Sequence, residues 1–363
     1  MTRTRRRVRI YHQVRSAHLE RAAQLPEATI LYGGKRYDFE DGLAAGLDLV
    51  HARGLRAAWY LLRHEVDALE VNEPLFIHGA RSTATALLGL RVGRLLGHDR
   101  PRVVSYAIEN LEPAGLPRPT RFTSRLARRL DLALMALIWR QLDRIAYGTA
   151  AAESLYRSTL PPRRSLAATL ITALPAPAPV DPAVEKSPLQ VVFLGALSER
   201  KGIRQLLAAW PKVRAEQPQA QLTVIGLGAL VDLVAGQSGS EAGIELVVDP
   251  PRAQIASHLD RAQVLVLASQ PSATWREQVG LPIVEGLAHG CTIVATRETG
   301  LADWLRARGH QVIADATSVD DLAGGLLAAL RAPLPVADVL ASLPAEDGRL
   351  AADRWLFEDS HAA

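Results

Sequence analysis

From residue 189 to residue 309 the chain repeats one pattern: a short continuous apolar run, a turn rich in glycine, and an amphipathic stretch. LQVVFLGAL (189–197) reads as a buried strand. IRQLLAAWPKVRAEQ (203–217) follows as a helix with Leu206, Leu207 and Trp210 on one face, and QLTVIGLG (221–228) as a second strand running into glycines. The alternation continues through strands at IELVV (244–248), VLVLAS (264–269) and TIVAT (292–296), with helices from Arg252 to Asp260, at PIVEGLAHG (282–290) and at LADWLRARG (301–309). Strands that are apolar throughout, each separated by one helix, describe a parallel sheet covered on both faces. Such sheets bind ligands at the carboxyl ends of their strands.

The first half predicts a second βα array. Strands are expected at VRIYHQ (8–13), ATILYG (28–33), LRAAWYLL (55–62), PLFIHG (74–79), RVVSYAI (102–108) and RIAYG (144–148), with helices near 41–53, 82–97 and 121–142. A length of 363 residues exceeds what one core usually supports. The break falls at LPAPAPVDPAVEKSP (174–188), whose five prolines disfavour helix and central strand. The expectation is an α/β chain of two Rossmann-like domains, 1–180 and 181–345, facing each other across a cleft. A last segment, 346–363, would pack back on the first domain through Leu350, Trp355, Leu356 and Phe357. Nothing repeats at a fixed short period, which argues against a solenoid.

Composition narrows the classes. With 48% hydrophobic and 22% charged residues the chain has the balance of an ordinary globular protein. A single cysteine, Cys291, excludes an internal disulfide and suits a reducing compartment. The basic start, MTRTRRRVR, runs into polar YHQVRS rather than an apolar leader core, and no uncharged apolar run reaches the ~18 residues of a membrane span. A cytoplasmic location is therefore expected. Residues 1–185 carry 27 basic and 18 acidic side chains and residues 186–363 carry 15 and 20, so the halves differ in sign, +9 against −5. Basic residues and aromatics are not interleaved as nucleic-acid modules require, so nucleic acid is not the expected partner. RFTSRLARRLDLALMALIWRQLDR (121–144) has Arg121, Arg125, Arg128 and Arg129 near its start and a largely apolar middle. Such a helix is either domain core or a segment resting on an anionic membrane.

Two loops carry the chemistry. In EQVGLPIVE (277–285), Pro282 suits the first turn of a helix, because its fixed φ and missing N–H are tolerated there. Glu277 then stands in the loop and Glu285 early in the helix, with the amides of Gly280 and Leu281 between them. Amides at a helix start attract phosphate, and flanking carboxylates accept hydrogen bonds from hydroxyls. A ligand with hydroxyls on both sides of a diphosphate would fit. In GALSERKG (195–202), a strand ends at Gly195 and Arg200 and Lys201 precede a helix, offering cations to charge that develops on a leaving group. Each loop also has a bland reading: Glu285 as a helix-start acid, Glu277 as a solvated loop residue and the Arg-Lys pair as surface charge.

VVFLGALSERKGIRQLLAAW, QLTVIGLG and SATWREQVGLPIVEGLAHGCTIVATRETGLADWL together resemble the donor half of the retaining family 4 glycosyltransferases of the GT-B fold, including their E-x7-E motif. The resemblance covers about residues 190–305. It implies that Glu277 contacts the transferred sugar, that Glu285 holds ribose hydroxyls, that Gly280 and Leu281 offer amides near the diphosphate, and that Lys201 binds it. Where the family commonly has Arg directly after the first glycine, this chain has Ala196, and Arg200 is the candidate substitute. On the acceptor side the resemblance points to His78 and Arg81 after one expected strand and to Glu109 and Asn110 after another. The implied reaction moves a sugar from a nucleotide sugar to a small-molecule, glycan or lipid-linked hydroxyl with retention. No Asp-x-Asp and no His/Cys cluster with ligand spacing occurs, so neither metal nor cofactor is expected. Two other readings stay open: a nucleotide-sugar epimerase on the same fold, and an inactive transferase-like binding or regulatory partner.

Overall fold

The computed structural model describes residues 6–36, 39–116, 122–179 and 185–358. The first residues of the basic start, Arg121, the middle of the Pro-rich stretch and the end of the last segment lie outside the described residues. The chain forms two compact units, Met1–Thr172 with Arg349–Ala363, and Ala173–Gly348.

The first unit runs β1 (Arg7–Tyr11), α1 (Ser16–Ala22), β2 (Thr29–Tyr32), β3 (Leu49–His51), α2 (Leu55–Arg63), β4 (Ala68–Glu70), α3 (Ile77–Leu95), β5 (Arg102–Ala107), α4 (Phe122–Gln141), β6 (Arg144–Tyr147), α5 (Ala150–Thr159) and β7 (Ala167–Leu170). Its seven strands pair in parallel in the order β3-β2-β1-β4-β5-β6-β7. Because side chains alternate across a strand, the sheet feeds two cores. Val8, Ile10, Leu69, Val103 and Ile145 pack under α2, α3 and α4, whereas Ala68, Val104 and Ala146 pack under the carboxyl-terminal helix.

The second unit runs β8 (Ser187–Leu194), α6 (Ile203–Glu216), β9 (Gln221–Ile225), α7 (Val231–Ala235), β10 (Ile244–Val247), α8 (Arg252–Arg261), β11 (Ala262–Leu267), α9 (Leu281–Ala288), β12 (Thr292–Thr296), α10 (Ala302–Ala307), β13 (Gln311–Ile313), α11 (Val319–Arg331) and α12 (Val336–Ala341). The chain then enters α13 (Gly348–Phe357), most of which belongs to the first unit. The six strands of the second sheet are parallel in the order β10-β9-β8-β11-β12-β13. Val191, Val192, Phe193, Val264, Leu265 and Val266 are all fully buried, as strands covered on both faces must be.

Three expectations in the first half fail. Residues 55–62 form α2 instead of a strand: Ala57 and Leu61, four apart, turn to the core while Leu55 and Trp59, also four apart, stand exposed. A helix apolar on two sides looks like a strand to a pattern search. The helix expected over 41–53 is a single tight turn, Asp41–Ala44, followed by β3; Gly42 and Gly46 interrupt it. The strand expected at 74–79 lies earlier, at β4, and Ile77 already opens α3, because Pro74 cannot extend the ladder. No helix among the described residues is long and apolar enough to cross a membrane.

Candidate active site

In the second sheet the chain leaves β8 in one direction toward β9 and β10 and in the other toward β11, β12 and β13. The crevice outside the carboxyl ends of β8 and β11 is the switch point where such sheets bind ligands. Backbone packing there is unusually close. Gly226 has φ +153°, and a Cβ on it would lie 1.9 Å from the Gly195 carbonyl oxygen. Gly195 N donates to Ile225 O at 3.0 Å and Leu197 N to Leu227 O at 3.0 Å, so the loops after β8 and β9 run as one surface.

The next turn, Glu199–Lys201, ends at Gly202 with φ +73°. A Cβ at Gly202 would meet Ala268 O at 1.8 Å, so only glycine lets this turn press against the end of β11. Gln270 N then donates to Arg200 O at 2.9 Å. This closeness buries Lys201, which is 8% exposed, and directs its ammonium onto Glu277, itself 7% exposed. Ser269 Oγ donates to the same Glu277 oxygen, Oε2, at 2.9 Å. The Arg200 guanidinium stacks over the Trp275 ring at 4.7 Å, and the Lys201 ammonium lies 5.6 Å from that ring.

Glu277 is fixed by its backbone as well, since Gly300 N donates to Glu277 O at 3.1 Å. Three residues on, Gly280 caps α9 with φ +84° and no side-chain cap; Pro282 has no N–H and Ile283 N donates to Gly280 O at 2.9 Å, so the amides at the helix start are those of Gly280 and Leu281. A Cβ at Gly195 would be 3.7 Å from Pro282 Cγ, which places the start of α9 against the end of β8. Gly195, Arg200, Lys201, Glu277, Gly280 and Leu281 therefore gather at one corner. Glu285 sits on the flank of α9, a third exposed, with Arg252 Nη1 at 4.0 Å. A buried cation, a buried carboxylate that two donors orient, and a helix start form a place where an anion can displace the carboxylate from the ammonium.

Sequence reasoning missed Ser269, Trp275 and Arg252. It also missed Glu298, buried beside Arg276 and Arg297 with nitrogens 3.8 Å away. Ser269 ends the strand expected at 264–269 and Trp275 stands in the polar run SQPSATWRE that begins with it, and that position was the available signal. Among the described residues no three His, Cys, Asp or Glu side chains are gathered to hold a metal.

In the first unit the switch point lies between β1 and β4, where His12 N donates to Asn72 Oδ1 at 3.0 Å. His78 and Arg81 do not follow a strand as expected: both are in the first turns of α3, exposed, and Arg81 pairs with Asp131 through Nε–Oδ1 at 2.6 Å and Nη2–Oδ2 at 3.2 Å. Glu109 and Asn110 do follow β5, half-buried. The Glu109 carboxylate accepts from the amides of Asn110 at 3.1 Å and Leu111 at 3.0 Å. Glu73, which the sequence did not flag, accepts from the amides of Ile108 and Glu109 and from the Tyr156 hydroxyl. Burial, and then the nearby Glu109 charge, push its carboxyl above the usual carboxylate range.

Residues 188–332 match the profile of the family described as Glycosyl transferases group 1. Among curated proteins, the chain is 34% identical over 146 residues to a phosphatidyl-myo-inositol mannosyltransferase of Mycobacterium tuberculosis and 28% identical over 155 residues to a glycogen synthase of the same species. These alignments cover 39% and 40% of this chain and only 37% and 34% of the relatives' own lengths. Among solved structures, Anabaena HepE in complex with UDP superposes with a TM-score of 0.63 at 14% identity over 97% of this chain and 96% of that one. The lipopolysaccharide outer core galactosyltransferase WaaB superposes at 0.61 with 10% identity, covering 93% and 94%. The fold is GT-B. In this GT-B chain the matched span contains the whole Lys201–Glu277 corner, whereas His78, Arg81, Glu109 and Asn110 lie outside it.

Proposed function

We propose that the chain is a retaining glycosyltransferase of family 4 that moves a sugar from a nucleoside diphosphate sugar to a hydroxyl without a metal. The observation that carries this reading is the buried Lys201–Glu277 pair at the β8/β11 switch point, beside the open start of α9.

In this reading the diphosphate takes the Lys201 ammonium and the amides at Gly280 and Leu281, with Gly195 allowing close approach and Arg200 adding charge from its seat on Trp275. Glu277, released from the ammonium, accepts from hydroxyls of the transferred sugar. Glu285 accepts from the ribose. Glycosyl transfer builds an oxocarbenium-like transition state and negative charge on the departing diphosphate. Fixed cations and amides stabilise that charge without rearranging. The bond from the anomeric carbon to the diphosphate oxygen breaks as the acceptor oxygen bonds to that carbon from the same side, and the acceptor proton passes to the leaving phosphate. No protein nucleophile is required.

The Anabaena neighbour is described with UDP and with UDP-glucose, so uridine nucleotides are the first to try. A ligand that binds only the native state raises the unfolding temperature. Thermal shift with UDP, GDP, ADP and dTDP and their sugars identifies the donor, and nucleotide release with and without candidate acceptors measures turnover. Lys201→Ala is expected to cost about 2–4 kcal/mol in kcat/KM. Near-normal turnover in that variant overturns the assignment, and donor consumption without acceptor redirects it to the epimerase reading. EDTA is expected to leave the rate unchanged.

A further inference from the structure

Thirteen large apolar side chains stand exposed among the described residues, and nine of them lie on α2, α3 and α4 or on the residue just after α3. Scattered exposed leucines need no explanation, but a cluster on one face does. Leu95 is 86% exposed, Leu55 79%, Leu96 68%, and Trp59 and Leu88 54% each. The three helices cover the same face of the first sheet: their inner sides, through Ala57, Leu61, Ala84, Leu87, Met135 and Ile138, share one core. At the α2–α3 seam a Cβ on Gly89 would lie 2.2 Å from Ala58 O, so the two helices touch along their backbones and present their outer stripes side by side. On α2 that stripe is Leu55, Trp59 and Arg63 at spacings of four; on α3 it is Leu88, Val92 and Leu95.

The charge on α2 and α3 has one sign, and on α4 the one acid, Asp131, is paired with Arg81. Neither α2 nor α3 contains an aspartate or glutamate, while Arg56, Arg63, Arg91 and Arg94 are all exposed. The Arg63 guanidinium lies over the Trp59 ring at 4.1 Å, and the same mixture continues on α4 with Leu126, Leu130, Arg125 and Arg129. Exposed leucines beside a tryptophan, ringed by long arginines, suit the boundary between lipid headgroups and acyl chains. There the indole stays at headgroup level and the guanidiniums reach back to phosphate.

We propose that this α2–α3–α4 face of the first unit docks peripherally on an anionic lipid bilayer. A two-fold contact between copies is the poorer occupant, because it would set these arginines against one another in a low-dielectric interface. The proposal concerns this face alone and holds whether or not the chain transfers sugar.

Full-length protein is sedimented with vesicles of phosphatidylcholine alone and of phosphatidylcholine mixed with phosphatidylglycerol. Binding to the mixed vesicles is expected to exceed binding to the neutral ones by about tenfold or more and to weaken as salt is raised. Leu95→Glu with Leu96→Glu, and separately Arg91→Glu with Arg94→Glu, are each expected to weaken it by about tenfold. All four side chains are exposed, so an unchanged unfolding temperature is expected and shows that the variants fold. Equal binding to neutral and anionic vesicles, or binding indifferent to both double substitutions, overturns the proposal. So does a dimer in sedimentation velocity that the leucine substitutions disperse.

Discussion

Both sheets bury charge, and they bury it in different places. In the first unit Arg9 lies in the middle of β1 and Glu70 at the end of β4, facing α13. Arg9 Nη1 contacts Glu70 Oε2 at 2.6 Å and Asp353 Oδ1 at 2.5 Å, and Arg349 pairs with Glu70. All four residues are at most 5% exposed, and the Phe357 ring covers the Arg9 guanidinium at 4.9 Å. In the second unit the buried pair is Lys201 with Glu277, in loops beyond the strand ends, where glycines bring backbones together and a helix start stands open. A neutral quartet sealed between sheet and helix holds α13 in place. An ion pair at a switch point, beside a helix start, can trade one partner for a ligand. Buried charge thus points to function through its position relative to the strand ends, more than through its burial.

The sharpest way to break this contrast is to remove one member from each cluster. Asp353→Ala leaves Arg9 buried with a partner missing and is expected to lower stability by about 3–5 kcal/mol, measured by urea unfolding, with nucleotide affinity little changed in the fraction that remains folded. Lys201→Ala reverses the pattern: turnover falls steeply while stability changes less. If Asp353→Ala abolished nucleotide binding at a temperature where the chain is folded, the division into a lock and a site would be wrong.

Gly202→Ala sharpens the same comparison from the backbone. Alanine at φ +73° meets Ala268 O, so the turn that buries Lys201 must back away from β11. A loss of about 2 kcal/mol or more is expected, together with a weaker response to nucleotide, read by thermal shift. Trp275→Ala acts more gently. It removes the ring under Arg200 and is expected to cost about 0.5–2 kcal/mol of nucleotide binding, measured by calorimetry, with stability unchanged.

The two units also differ in how far their sequences announced them. β8, β11 and β12 are five- to eight-residue runs with few polar interruptions, which only a covered parallel strand explains. In the first sheet β3 and β4 have three residues each, too few to show any period, and α2 is apolar on two sides. The expected strands at 55–62 and 74–79 failed for those reasons. In the second unit the loops were legible because glycine, proline and charge mark them. The pairing of Lys201 with Glu277, 76 residues apart, was not legible, and neither was the stacking of Arg200 on Trp275, since contacts between loops depend on strand order. Glu73 gave no signal because its role comes from two amides and a tyrosine that the fold brings to it.

The two units are also expected to respond to pH in opposite senses. In the second unit His310 Nδ1 accepts from the Ile293 amide at 3.1 Å, so the neutral ring carries its proton on Nε2. Burial pushes its pKa down from 6.5 to about 4. A group whose folded pKa is depressed contributes stability above its unfolded value and loses it as pH falls toward the folded one. The second unit should therefore weaken between pH 6.5 and about 4 and be indifferent to His310 above that window. In the first unit the Glu73 carboxyl is raised above its ordinary 4.5 by burial and by Glu109. Its contribution is complete below that value and declines as pH rises, because ionising the acid charges a buried group. Glu73→Gln should flatten the alkaline side of the unfolding profile and His310→Gln the acidic side. If either substitution flattened the other side, that residue would not be the group that titrates there.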